Sequence, residues 1–208
     1  MDEVWFYGYG EDELSCAVMR RLFSFHNECR PKGRQLVYRP GFPDNKRGFG
    51  NIKKLSPKLK NMAMCPGLNV FVLTDLDRGD CAPALIQEWF PPNGELPDSL
   101  LFRVAEREVE VWLMADRDRL AFFLEISPQS FSADPDSLVD PKEHLLNVIR
   151  AKGRKRYHRD MLPHGNAHVG TEYNPKLCEF VQRYWSIKTA ERKSLSLRRA
   201  LDALRRFD

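Results

Sequence analysis

No two of the five cysteines, Cys16, Cys29, Cys65, Cys81 and Cys178, form a Cys-x-x-Cys pair, and their number is odd. That argues against a disulfide framework and a zinc ribbon, and predicts reduced thiols in a cytoplasmic protein. No apolar run approaches the length of a membrane span, and Met1-Asp2-Glu3 is acidic where a secretory signal is basic. Internal repeats and low-complexity tracts are also missing. His164 and His168 stand four apart, but Gly165 and Asn166 between them disfavour the helix that a zinc-binding pair would use. What is present is a chain of 208 residues, 42% apolar, enough for one substantial core or a core with a small appendage.

The net charge of +4 conceals strong segregation. Residues 1–29 carry two basic and six acidic residues, residues 30–60 ten and one, residues 61–149 six and sixteen, and residues 150–208 fifteen and six. Two basic segments thus alternate with two acidic ones. A polyanion held by the basic segments and presented to a carboxylate-bound cation is one use of such a pattern; a plainly solvated set of charged helix faces is the other.

The segment Leu68-Asn69-Val70-Phe71-Val72-Leu73-Thr74-Asp75-Leu76-Asp77-Arg78-Gly79-Asp80 concentrates the chemistry. A short apolar run ending in Asp-x-Asp reads as a strand buried on both faces. If strand alternation continues, Asp75 and Asp77 project to one side, about 6–7 Å apart. Two such carboxylates suit Mg²⁺ or Mn²⁺, which take oxygen ligands from one or two carboxylates and from substrate phosphates. The alternative is that both cap the following helix. Asp80 either joins this site or caps that helix. Glu11, in the acidic stretch after the first strand, is a third candidate carboxylate, with Glu13 behind it. A third cluster, Glu106-Arg107-Glu108-Val109-Glu110, follows the fourth strand; Glu108 or Glu110 could complete a cation site or orient a basic side chain, or simply favour a helix N-terminus.

Strands are predicted at Val4–Tyr7, Gln35–Arg39, Leu68–Asp75 and Leu100–Val104, with Gly8-Tyr9-Gly10 as a turn and Pro40 to Gly50 as a loop. Helices are expected at Glu11–Phe25, Asn51–Met64, Ala82–Trp89 and Glu108–Leu124. Strands alternating with helices imply a mostly parallel sheet with helices on both faces, an α/β class, over residues 1–125. Beyond it, Pro128, Pro135 and Pro141 punctuate a loop. Residues 126–208 read as a helical, basic extension packed on that core, with helices near 142–152, 175–185 and 194–207. Arg150, Lys152, Arg154, Lys155, Arg156 and Arg159 surround Tyr157, a mixture suited to nucleic acid, and Lys53 and Lys54 add cations in the earlier basic segment. Either group could equally be a solvated face or meet an acidic protein.

A glycine turn after the first strand, followed by Asp-x-Asp after a later one, is similar to the TOPRIM (topoisomerase–primase) domain. Asp75-Leu76-Asp77-Arg78-Gly79-Asp80, Arg107-Glu108-Val109-Glu110-Val111-Trp112-Leu113-Met114-Ala115-Asp116 and Ser194-Leu195-Ser196-Leu197-Arg198-Arg199-Ala200-Leu201 more closely resemble a family of small bacterial TOPRIM-like proteins. That family is related to the nuclease domain of the overcoming-lysogenization-defect proteins. The resemblance implies a Rossmann-like TOPRIM fold and a Mg²⁺- or Mn²⁺-dependent nuclease in anti-phage defence beside an ATPase partner. Its metal and catalytic residues would be Asp75, Asp77, Glu11 and Asp80, with Glu108 and Glu110. The chain departs from the pattern at Tyr7, which precedes Gly8 where such domains usually carry glutamate; Glu11 matches an acid used four residues later. A catalytically weak subunit that binds nucleic acid or an ATPase, and a metal-dependent nucleotide-sugar or phosphoryl transferase, are the competing readings.

Overall fold

The computed structural model describes residues 3–41, 49–91 and 95–207. Four strands, β1 (Glu3–Gly10), β2 (Gln35–Pro40), β3 (Asn69–Asp75) and β4 (Leu100–Ala105), form one parallel sheet in the order β2-β1-β3-β4. The α/β class expected from the sequence is the one observed. β3 lies inside the sheet and is buried from Val70 onward, which is why its sequence is a continuous apolar run. Val70 and Val72 face the layer formed by α2 (Phe49–Ala63) and α3 (Ala82–Trp89). Phe71 and Leu73 face the larger layer, beginning with α1 (Glu13–Cys29). Asp75 ends the strand with the same parity as Leu73, so its carboxylate belongs to the α1 layer.

The first predicted turn is instead strand. β1 continues through Gly8 and Gly10, and Gly10 pairs with Leu73. The two glycines allow close packing rather than a bend: a Cβ on Gly8 would stand 2.0 Å from the Tyr38 ring, and one on Gly10 2.9 Å from Met19 and Ser15. The strand therefore delivers Glu11, not Tyr7, to the end of the sheet. The predicted loop from Pro40 to Gly50 falls largely outside the described residues.

After β4 the single expected helix over Glu108–Leu124 is two, α4 (Glu110–Met114) and α5 (Arg117–Phe123). They break at Asp116, whose carboxylate accepts the Ser186 N–H at 2.7 Å. The extension comprises α6 (Pro141–Lys152), α7 (Arg156–Met161), α8 (Tyr173–Arg183), α9 (Ile187–Ala190) and α10 (Leu195–Arg205); α7 and α9 were not expected from the sequence. α8 packs on α1, and α10 packs on α1 and β4. One continuous apolar core runs from Phe6 and Leu22 through Trp112 to Leu177 and Leu204, so the extension supplies much of the covering layer. Burying each such leucine or phenylalanine contributes about 1.5–3 kcal/mol. Among the described residues no helix is long and apolar enough to cross a membrane.

Candidate active site

The carboxyl edge of the sheet gathers acids from three separate segments. Glu11, one residue beyond β1, lies beside the end of β3: its Oε1 accepts the Thr74 hydroxyl hydrogen bond and the Asp75 N–H at 2.9 Å. Asp12 next to it caps α1, accepting the Ser15 N–H and hydroxyl, each at 2.8 Å. Asp75 is only 9% exposed, and its Oδ1 accepts the Val109 N–H at 2.9 Å. Glu110, 1% exposed, accepts the Tyr173 hydroxyl at 3.0 Å through Oε1, while its Oε2 is buried without a partner.

Lys142, second residue of α6, provides the positive charge. Its Nζ stands 3.2 Å from Glu108 and 3.6 Å from Glu110, and its backbone N–H donates to Glu108 at 2.7 Å. Burial acts against this ammonium, but Glu110, Glu108 and Asp75 outweigh it and hold its proton more tightly than usual. The opposite holds for the acids. Burial raises Asp75 well above the ordinary carboxylate range, reinforced by the negative charges of Glu110 and Glu11. Burial likewise raises Glu11, against the bonds from Thr74 and Asp75. Glu110 is pushed up to about 7 by burial, with Lys142 opposing and Glu108 adding to the rise. The edge gathers more carboxylates than the Lys142 ammonium balances, so Asp75, Glu11 and Glu110 hold their protons more tightly than free carboxylic acids do.

Backbone strain sits beside them. Asp77 and Arg107 adopt left-handed backbone, φ +49° and +64°, uncommon for residues with a side chain. The Asp77 N–H donates to the Arg107 carbonyl at 2.7 Å, and the Arg107 guanidinium donates back to the Asp77 carbonyl at 3.1 Å, joining the loops after β3 and β4. The alternation expected to align Asp75 with Asp77 stops here: β3 ends at Asp75, and Asp77 is exposed. Asp80 is exposed and does not cap α3, whose N-cap is Cys81 without a side-chain bond. The helix expected from Glu108 begins only at Glu110, so Glu106 and Glu108 lie in the loop after β4. Glu108 engages a basic side chain, that of Lys142.

No protein-family model, curated protein or solved structure matches this chain. Its own geometry therefore carries the argument. Among the described residues no group of three or more His, Cys, Asp or Glu side chains is poised to hold a metal ion. Mg²⁺ requires fewer protein ligands, completing its shell with water and phosphate oxygens. The unpartnered Glu110 Oε2 and the uncompensated charge around Asp75 and Glu11 are the features that fit a divalent cation.

The expected basic surface divides between the two faces of the sheet. Lys53 and Lys54 lie on α2, where Lys53 pairs with Glu88. The other group begins about 12 Å along α6 from Lys142. There Arg150 meets Glu143 at 3.6 Å and Asn147, Lys155 meets Glu125 at 2.7 Å, and Arg156 meets Asp160 at 3.9 Å, while Lys152, Arg154 and Arg159 are exposed. Lys142 and Tyr173 were missed from the sequence. A lysine in the first turn after Asp140-Pro141 is the one available signal, because a cation opposes the helix dipole there unless acids face it.

Proposed function

We propose that this protein is a Mg²⁺- or Mn²⁺-dependent nuclease whose working edge is Asp75 and Glu11, completed by Glu110, Lys142 and Tyr173. The observation carrying this reading is the convergence of two buried carboxylates, Asp75 and Glu110, and the half-buried Glu11, from separate segments, on one sheet edge with the Lys142 ammonium beside them. Carboxyl ends of parallel strands are where open α/β sheets ordinarily bind ligands. Asp75 and Glu11 would hold the ion, which when bound activates water and offsets charge on the leaving oxygen. The chain's own contribution is electrostatic positioning. The Val109 N–H and the Thr74–Asp75 pair fix one oxygen of each ligand carboxylate, leaving the other to face the reaction. Glu110, near 7, exchanges a proton close to neutral pH and keeps Lys142 oriented through Oε1. Asp77 and Asp80, being exposed, serve at the rim. Anti-phage defence, an ATPase partner and a cytoplasmic setting extend this reading through the resemblance and composition alone.

Incubation with plasmid, linear DNA and RNA, with and without Mg²⁺ or Mn²⁺, tests the proposal. Cleavage should require the cation, vanish in Asp75→Asn and persist at reduced rate in Asp77→Asn. Parent-like cleavage by a folded Asp75→Asn variant would place the chemistry elsewhere. A parent that binds nucleic acid but cleaves none of the three would favour the catalytically weak subunit, a reading consistent with Lys142 already neutralising part of the edge.

A further inference from the structure

β4 is the sheet's last strand, and beside it lie three guanidinium groups with no carboxylate partner among the described residues. Arg103 projects from its middle, and α10 brings Arg199 and Arg206 alongside, seven residues and about 10 Å apart on the helix. Arg103 lines two cavities, one of about 230 Å³ shared with Arg107 and Arg199, the other of about 440 Å³ shared with Arg206. Asp80 and Glu106 border the first and Asp98 the second, yet none forms an ion pair with these arginines. The Nε of Arg103 is buried and makes no hydrogen bond. Burial, and then the positive charge of Arg206, make this guanidinium easier to deprotonate than usual.

Leaving a guanidinium desolvated beside a second cation is costly unless an anion completes the arrangement. Guanidinium suits phosphate in particular, because its planar donors meet two oxygens at once. The first cavity also has an apolar side, where Ile86 is half-buried above the buried Leu76 and Phe102. Its position also matters. Arg103 pairs in register with Leu73 and shares its face, two residues and about 6–7 Å before the rung of Asp75.

We infer that Arg103, Arg199 and Arg206 form a phosphate seat along β4, which holds the backbone of a single nucleic-acid strand next to the Asp75 edge. The identity of the ligand rests on the nuclease reading; the seat for phosphate does not. This route to the edge is separate from the basic surface of α6 and α7, where several cations are already paired.

Binding is measured in EDTA by anisotropy of labelled single-stranded DNA and RNA, so that no cleavage intervenes. Arg103→Gln with Arg199→Gln should weaken binding about tenfold or more and flatten the log–log salt dependence by about 0.7 for each phosphate no longer neutralised. Arg183→Gln, a control on α8, should leave both unchanged. The double variant should melt no lower than the parent, since neither arginine takes part in an ion pair. Parent-like affinity and salt slope in the folded double variant would overturn the seat. If inorganic phosphate or pyrophosphate raises the melting temperature of the parent but not of the variant, while oligonucleotides bind neither, the nucleic-acid assignment is wrong. Oligonucleotide bound through these arginines but never cleaved on adding Mn²⁺ would defeat the nuclease reading and keep the seat. Cleavage with unaltered binding by the variant would do the reverse.

Discussion

Replacing Glu110 with glutamine in metal-free buffer should change how stability depends on pH, with a predictable sign. An acid whose folded-state value is raised, here from 4.5 to about 7, binds its proton more tightly folded than unfolded. The folded state loses stability as pH rises from about 4.5, and the loss is complete once the folded carboxyl has ionised above about 7. The full span amounts to roughly 3 kcal/mol, of which about 2–3 kcal/mol falls between pH 5 and pH 8. Glu110→Gln removes that loss while keeping an oxygen for the Tyr173 hydroxyl. It also removes the negative charge that helps raise Asp75, which shifts the difference in the same direction. His144 and His158, both lowered by burial, make stability rise with pH through the histidine range, but they do so in parent and variant alike. The attraction of Lys142 for ionised Glu110 is already contained in the value of about 7, whose rise it opposes, so it adds no separate pH dependence to the difference. Urea unfolding at a series of pH values therefore supplies the test through the variant-minus-parent difference. It should grow by about 2–3 kcal/mol from pH 5 to pH 8. A difference that stays flat would mean that Glu110 is ionised or solvated as an ordinary glutamate, and the charge imbalance assigned to this edge would be wrong.

Lys142→Met should destabilise by about 2–3 kcal/mol at pH 8, somewhat below the cost of breaking a fully buried pair because the side chain is partly exposed, and by less at pH 5; thermal melts at both values decide. Tyr173→Phe leaves Glu110 without its hydroxyl donor and should cost about 1–2 kcal/mol by urea unfolding, with no loss comparable to a core cavity. Gly8→Ala forces a methyl into the Tyr38 ring and should cost about 1–3 kcal/mol, whereas a parent-like melting temperature would show that the ring turns aside freely.

All four strands and the carboxylate that ends β3 were legible because apolar runs and their abrupt stops are local signals. Gly8 and Gly10 read as a turn because glycines demanded by the Tyr38 ring and by Met19 resemble turn glycines in one dimension. Asp75 and Asp77 looked equivalent because alternation was extended two residues past the end of β3, into the turn that meets the loop after β4. The partners of Glu110 were illegible for another reason. Lys142 and Tyr173 are 32 and 63 residues away in sequence, and only the packing of α6 and α8 onto the sheet makes them neighbours. Arg103 illustrates the same limit: a charged residue within an apolar strand reads as a solvent-facing position, and its want of a carboxylate appears only when α10 is in place.

The carboxylates are made early and their counter-charge late. As the chain leaves the ribosome, Glu11, Asp75 and Glu110 emerge before Lys142, and Tyr173 follows last. An arrested or truncated product ending before α6 would carry the acidic edge without its ammonium or its phenol. Charge balance at this edge is thus tied to completion of the helical layer, and a partly synthesised chain carries the edge unbalanced. The extension is therefore no passive cover: a substitute that packed equally well but lacked these two side chains would restore the shape of the protein and leave Glu110 without its ammonium and its hydroxyl donor.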